Sequence, residues 1–160
     1  MKLKKFLWIV VLCLFNGNFA NAEELTLKCT YKHIDTQYPM YKVGDDTYLI
    51  YDLSSKEYIV NEGYIKFYSA TKVLDSHYLN YSEIHRLSGE KIERSVGIEK
   101  EEFKKFENLD KMNKDEKTFN KIFRAVNDKF FEIKTSNLAY NDKPMWGEWR
   151  SDCEKAKKKF

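Results

Sequence analysis

The chain has 160 residues and a formal net charge of +3, with 28 Lys and Arg against 25 Asp and Glu. Its first 22 residues hold three of the basic residues and none of the acidic ones, so the remainder is neutral overall. This length fits one domain with its own core, and neutrality argues against nucleic acid as a partner and against a general attraction to anionic membranes.

The N-terminal segment has the features of a cleavable secretory signal. Three lysines among the first five residues precede an apolar stretch, Phe6 to Phe15, that is too short to span a bilayer. Ala20-Asn21-Ala22 matches the A-x-A cleavage pattern. We therefore expect residues 1–22 to be removed and residues 23–160 to form a single β-rich domain in the periplasm, with no transmembrane segment after cleavage.

Two cysteines remain after the signal, Cys29 and Cys153, near the two ends of the exported chain. In an oxidising compartment, two cysteines in these positions are best explained by one structural disulfide. A redox pair is the alternative, but the sequence has no C-x-x-C motif. The sequence therefore predicts a Cys29–Cys153 disulfide that ties the first strand to the last.

Strand signals fill the first half of the exported chain. Glu24 to Lys32 alternates, so that Leu25, Leu27, Cys29 and Tyr31 share one face. A loop is predicted over His33–Asp46. Further strands are predicted at 47–53, 57–61, 64–70 and 90–96, with one long or two short strands over 73–87. Short strands at this spacing predict a meander that curls into a small antiparallel β-barrel or a curved sheet, a mainly β (α+β) fold.

Composition changes after Gly97 and predicts a helical insertion at about 99–131. Ile98 to Asn113 is weakly amphipathic, whereas Asp115 to Lys129 carries one apolar stripe that can pack on the sheet. Asn113 and Glu116 are the predicted capping residues. Residues 130–135 fit either an extension of this helix or the start of a strand.

The closing strand is predicted over Met145–Lys155. Alternation places Trp149 and Cys153 on one face and Glu148, Arg150 and Asp152 on the opposite face.

The sequence gives no signature of an enzyme or a cofactor site. The motifs G-x-S-x-G and H-E-x-x-H and a Gly-rich phosphate loop are absent, so we expect neither catalysis nor a cofactor. Three adjacent acid pairs lie in charged segments that we expect to be solvated: Asp45-Asp46, Glu101-Glu102 and Asp115-Glu116.

Three histidines are the candidate metal ligands. On one continuous strand His77 and His85 would lie about 26 Å apart, so they can share a metal only if the chain turns between them. His33, in the predicted loop, can approach either. Partly exposed strand histidines are the simpler interpretation, and we expect no metal site.

Two aromatic features favour binding. Tyrosines crowd the strand region, where they can form a recognition surface or cover a small barrel. Trp146 and Trp149 beside Arg150 suit stacking on a sugar or capping a barrel mouth, and they are the candidate binding surface. Because the two indoles are three residues apart, a shared site requires a bulge; packing in the core or at the rim is the alternative.

Three short motifs occur in order along the chain: Leu27-Lys28-Cys29, the I-x-R-x-S/T-G pattern of Ile84 to Gly89, and Cys153 before a lysine-rich end. With these motifs the chain resembles a group of small uncharacterised bacterial periplasmic proteins that carry a signal peptide and one disulfide between terminal strands. The resemblance covers the two ends and the middle of the chain, but not the helical part.

More distantly, the architecture resembles the periplasmic inhibitors of C-type lysozyme, small antiparallel barrels with a disulfide joining terminal strands. In that family an S-G-x-x-Y loop contributes to inhibition. Here Ser88-Gly89 is followed by Glu90, Lys91 and Ile92, so the tyrosine of the pattern is missing.

These features together favour non-enzymatic binding of an unknown protein or small ligand of the cell envelope. An inhibitor of an envelope enzyme such as lysozyme is the second hypothesis, and a hydrolase with an unrecognised site is the third. A loop that projects into a partner's cleft would favour the inhibitor, an open apolar barrel interior would favour carriage of a small ligand, and a concave pocket with shifted His or carboxylate groups would favour the hydrolase.

Overall fold

Seven antiparallel strands form one sheet that curls into a half-barrel, which confirms the predicted fold class. The computed structural model describes residues 24–37, 39–108 and 114–156. The strands are β1 (Glu24–Thr36), β2 (Asp46–Asp52), β3 (Ile59–Val60), β4 (Tyr64–Val73), β5 (Ser76–His85), β6 (Glu90–Ile98) and β7 (Trp146–Lys155). Their order across the sheet is β2-β1-β7-β6-β5-β4-β3, so the first and last long strands of the chain are neighbours.

Several predictions fall outside the described residues. They are the signal segment with its cleavage site, the end of the predicted first helix at 109–113 with the capping residue Asn113, and the lysine-rich end at 157–160. Within the described ranges, no helix is long and apolar enough to cross a membrane.

The first strand is longer than its alternation predicts. The loop predicted from His33 is wrong for residues 33–36, which continue β1 against β7 as far as Thr36 opposite Gly147. The register shifts between Tyr31 and His33, and this β-bulge explains why the simple alternation stops there although pairing does not.

The predicted disulfide is confirmed. Cys29 of β1 and Cys153 of β7 lie directly opposite each other and are bonded, 124 positions apart in the sequence.

The helical insertion lies between β6 and β7. It contains α1 (Lys100–Phe103), α2 (Glu116–Thr135) and a 3₁₀ turn at Tyr140–Asp142. The predicted helix over 98–113 is wrong in extent, because Ile98 ends β6 and residues 104–108 form turns after a single helical turn. In the described part of this segment, Phe103 and Phe106 are buried in the core from a helical turn and the turns that follow it, and not from one continuous helical stripe.

The main helix, α2, extends through the segment that the sequence leaves undecided. Phe130 and Ile133 are buried and continue the stripe of Phe119, Ile122 and Val126, so residues 130–135 remain helical. Its N-cap is Asp115, whose carboxylate accepts the N–H of Thr118 at 2.9 Å.

The sheet has a core on each face. Helix α2 covers the convex face of β4 to β7, where Tyr68, Leu79, Val96 and Phe103 are among the buried side chains. The second core lies on the concave face, where the half-barrel curls over side chains of β1, β2, β4 and β5. It contains Leu27, Cys29, Tyr51, Ile65 and Ile84.

A buried ion-pair network attaches α2 to the convex face. Arg94 of β6 bonds the carboxylate of Glu148 on β7 and the side-chain oxygen of Asn127 on α2, which also accepts the hydroxyl of Tyr81. Arg150 donates to Glu148 at 2.9 Å. The predicted alternation of the closing strand is confirmed, because Glu148 and Arg150 lie on the face opposite Trp149. Helix α2 covers that face, and two guanidinium groups pair with the Glu148 carboxylate there.

Glu148 makes stability depend on pH. Burial alone raises the pKa of this carboxyl, but hydrogen bonds from Arg94 and Arg150 outweigh burial and lower it. A carboxyl whose pKa is lower in the folded state contributes stability above its unfolded pKa and loses it as the pH falls through the folded value. We expect the free energy of unfolding to fall below about pH 4.5. Glu148→Gln should flatten this dependence in urea titrations at several pH values, and an unchanged slope would contradict the assignment.

The hairpin between β5 and β6 requires glycine at position 89. Its φ is +75°, and a Cβ at this position would overlap the carbonyl oxygen of Cys153. The Gly89 carbonyl also accepts the N–H of Cys153 at 2.8 Å, so the turn is docked on the disulfide strand.

We expect Gly89→Ala to lower the free energy of unfolding by about 2–4 kcal/mol, because backbone strain and a backbone clash add. Gly63→Ala is the matched control, since only the Asn61 side chain, at 3.7 Å, would approach a Cβ there. Urea denaturation of the two variants makes the test. Equal losses would show that position 89 has no special requirement for glycine.

Candidate functional site

The concave face of the half-barrel carries an open groove of about 380 Å³. Residues of β1, β2, β4, β5, β6 and β7 line it, together with the loop after β1, and Leu49 and Phe67 make part of this lining apolar. In the described part of the chain, helix α2 packs on the opposite, convex face of the sheet. We call this cavity the groove; its volume falls within the range of small-molecule sites.

A row of small polar residues crosses the groove. Ser69, Asn80, Ser95 and Gly147 lie directly opposite one another on four successive strands, and Thr36 follows on β1. Directly opposed residues of a sheet point to the same face. Asn80 is held by hydrogen bonds to the hydroxyls of Ser69, at 3.2 Å, and Thr71, at 3.1 Å. We call these residues the polar row.

The indole of Trp149 lies over Gly147, beside the polar row. A Cβ at position 147 would collide with the six-membered ring of the indole and with the hydroxyl of Thr36. Glycine therefore leaves room for the indole on the concave face, where it lines the groove.

A charged pair lies next to Trp149. Glu93 is directly opposite Trp149 on the neighbouring strand. Its carboxylate forms an ion pair with the ammonium of Lys91 at 2.8 Å, and the Lys91 side chain is only 3% exposed. The Glu93 side chain is 31% exposed, so its carboxylate is accessible. The pair gives the groove a carboxylate acceptor without a net charge.

Tyrosines form the wall on the β1 side. The rings of Tyr31 and Tyr41 stack with centroids 4.8 Å apart, and Tyr41 is partly exposed. Burial, with a smaller contribution from Glu93, raises the pKa of Tyr31 to about 12. The Tyr31 hydroxyl is therefore neutral at physiological pH and can donate or accept a hydrogen bond.

Lys91 and Glu93 offer a direct test of this charge arrangement. Glu93→Gln removes the charge that compensates a buried ammonium, and we expect it to lower the free energy of unfolding by about 1–3 kcal/mol. Replacing Lys91 with Met in the same protein should recover most of this loss, because no unpaired charge then remains. Urea denaturation of the single and double variants makes the measurement, and an additive loss in the double variant would contradict the buried pair.

A larger cavity, of about 630 Å³, lies at the other end of the half-barrel. Leu25, Leu27, Ile65 and Ile84 line it beside Cys153. These residues belong to the second core or pack against it, and polar or charged residues that include Glu62, Arg86 and Lys155 complete the lining.

The structure separates the three residues of the predicted binding surface. Trp146 is buried beneath α2, with its ring centroid 5.6 Å from that of Phe130. Arg150 is on the same convex side, where it pairs with Glu148. Trp149 alone lies in the groove.

The histidines do not come together in one site. Strand β5 is continuous, so His77 and His85 are near its two ends: His77 packs against Phe103, and His85 contacts Tyr64 and bonds Ser88. His33 lies 3.9 Å from Glu148. Among the described residues, no group of three or more His, Cys, Asp or Glu side chains is arranged to hold a metal ion.

Each adjacent acid pair contains a carboxylate with a local structural partner. Asp46 pairs with Lys28 at 2.7 Å, and Glu101 pairs with Lys104 at 2.9 Å. In the third pair, Asp115 caps α2 and Glu116 pairs with Lys66 at 3.0 Å.

Sequence reasoning missed Lys91, Glu93 and the polar row. Alternation in β6 places Lys91, Glu93 and Ser95 on one face, and that signal was available, but charged and small polar residues on one face indicate solvent in an ordinary two-faced sheet. Comparison of the chain with models of protein families, with curated proteins and with solved structures finds no match, so the groove is interpreted from its own geometry.

Proposed function

We propose that this chain is a non-enzymatic binding protein of the bacterial cell envelope, exported to the periplasm, that takes its ligand in the groove. The observation that carries the proposal is the open concave site with an indole, a tyrosine pair and the Lys91–Glu93 pair. Aromatic faces combined with a few fixed polar groups are typical of ligand sites.

The energetic cost of the charged pair supports this proposal. Removing an ammonium from water is expensive, and a buried ion pair often stabilises a fold no better than apolar residues would. Lys91 and Glu93 lie on the face opposite α2, so they do not attach the helix. Recognition of a ligand explains why these charges are there, whereas packing does not.

Capture from a soluble envelope extract tests the proposal. The exported protein is immobilised, washed and eluted, and bound small molecules and proteins are identified by mass spectrometry. We expect a species that is retained by the wild type and lost with Trp149→Ala. Tyr48→Ser is the control, because Tyr48 is 65% exposed on edge strand β2 and does not line the groove. A species retained equally by all three proteins, or none at all, would contradict binding in the groove.

Inhibition of an envelope enzyme such as lysozyme is the second candidate. One observation favours it: Leu74, at the tip of the β4–β5 hairpin, is 89% exposed and has a φ of +54°. Leucine at positive φ is strained, and strain of this kind concentrates at functional sites. Leu87, beside Ser88-Gly89, is similarly exposed at the β5–β6 hairpin.

A cell-lysis assay with a C-type lysozyme tests this second candidate. Inhibition by the exported protein that is lost with Leu74→Ser or Leu87→Ser, but kept with Trp149→Ala, would favour the hairpin tips. Lysis at the uninhibited rate in the presence of the wild type would exclude this lysozyme as the target.

A further inference from the structure

We infer that the groove binds an uncharged oligosaccharide, with one sugar ring stacked on Trp149 and its hydroxyls bonded by Glu93 and the polar row. The inference rests on the proposed binding function and gives it a ligand class. Three properties of the groove carry it: a flat aromatic face, hydrogen-bonding groups around that face, and the balance of charge.

The aromatic face is the indole of Trp149. One face of a pyranose ring presents several C–H groups, which are apolar and carry small positive charges. The face of an aromatic ring is the negative part of its quadrupole, so the two surfaces attract and exclude water from each other. Gly147 supports this arrangement because a side chain at that position would displace the indole.

The hydrogen-bonding groups surround the indole on the side of β6 and β5. Glu93 is directly opposite Trp149, and Ser95 lies directly opposite Gly147, over which the indole is placed. Asn80 and Ser69 continue the polar row. A sugar hydroxyl both donates and accepts, and a surface of carboxylate, amide and hydroxyl groups around an aromatic ring offers a partner for each role.

The balance of charge disfavours anionic ligands. Lys91 is neutralised by Glu93, and the guanidinium of Arg94, whose residue borders the groove, bonds Glu148 and Asn127 on the convex side. A phosphate or a carboxylate would therefore meet an acidic side chain without an uncompensated cation among the described lining residues.

Isothermal titration of the exported protein with uncharged trisaccharides tests the inference. The probes are the N-acetylglucosamine trimer, cellotriose and maltotriose. We expect saturable binding of at least one probe, weakened about tenfold or more by Trp149→Ala, which removes the stacking face. Tyr48→Ser should bind as the wild type does, since its aromatic ring lies outside the groove.

A second variant protects the test from a folding failure. Ser95→Ala keeps the indole and removes one hydroxyl of the polar row without adding bulk. We expect it to weaken binding of the same probe severalfold while its circular dichroism spectrum stays that of the wild type. Binding that is insensitive to both groove variants would overturn the inference.

The two proposals fail in different ways. If none of the three probes binds while extract capture still yields a ligand that depends on Trp149, the saccharide inference is wrong and the binding function stands. If neither experiment yields a species that depends on Trp149, both proposals are wrong.

Discussion

Replacing both Cys29 and Cys153 with serine is expected to lower the free energy of unfolding by about 4–5 kcal/mol in the chain-entropy account of disulfides. The bond closes a loop between positions 124 residues apart, so the unfolded chain gains much freedom when it is removed. Cys29 is fully buried in the second core, so the new hydroxyl there is also unfavourable. Together with Arg94→Met, this replacement should cause the largest loss of stability.

Urea denaturation measured by circular dichroism, with and without a thiol reductant, makes the test. The reduced wild type should approach the double variant in stability, and both should keep β-rich spectra at low temperature because the register of β1 and β7 does not depend on the bond. An oxidised wild type no more stable than the double variant would contradict a stabilising disulfide.

Replacing Arg94 with methionine is expected to cost about 3–5 kcal/mol, the usual penalty for removing one partner of a buried ion pair. The Arg94 side chain is 11% exposed, and its guanidinium joins β6, β7 and α2 through Glu148 and Asn127. It also lies 4.9 Å from the ring centre of Phe130, a cation–π contact that methionine cannot make.

Arg150→Met is the matched control for this prediction. Arg150 pairs with the same carboxylate, but its side chain is 44% exposed, so water compensates for much of what is lost. We expect a cost of about 1 kcal/mol or less, as for surface pairs. Urea midpoints of the two variants decide between these expectations. Equal costs would mean that burial of the guanidinium does not set the strength of the network.

Local sequence pattern predicts single strands and helices, but it does not predict how the strands pair. Alternation in Glu24 to Lys32 identified a half-buried strand with Cys29 inward, and the structure confirms it. Alternation could not reveal the bulge after Tyr31, because a register shift depends on the partner strand β7 and not on local sequence. Helix α2 was identified by its apolar stripe, and its last residues remained ambiguous because Phe130 to Thr135 has apolar residues that fit either period.

The groove was harder to predict than the fold, for a physical reason. The sequence groups Trp149 with Trp146 and Arg150. The surroundings of each side chain, however, depend on the neighbouring strands and on α2. In β6 both faces meet other parts of the protein: Ile92 and Arg94 face the side of α2, and Lys91 and Glu93 face the concave surface. A binary pattern of apolar and charged residues cannot distinguish two partly buried faces, and tertiary structure alone places Glu93 opposite Trp149.

The measurement that tests the account most directly is amide chemical-shift mapping of the exported protein titrated with a soluble envelope extract. Binding in the groove predicts shifts concentrated at the polar row, Glu93 and Trp149, with the Trp149 indole N–H among the largest, and their loss in Trp149→Ala. Shifts confined to the hairpin tips at Leu74 and Leu87, or no shifts at saturating extract, would contradict the assignment of the groove as the binding site.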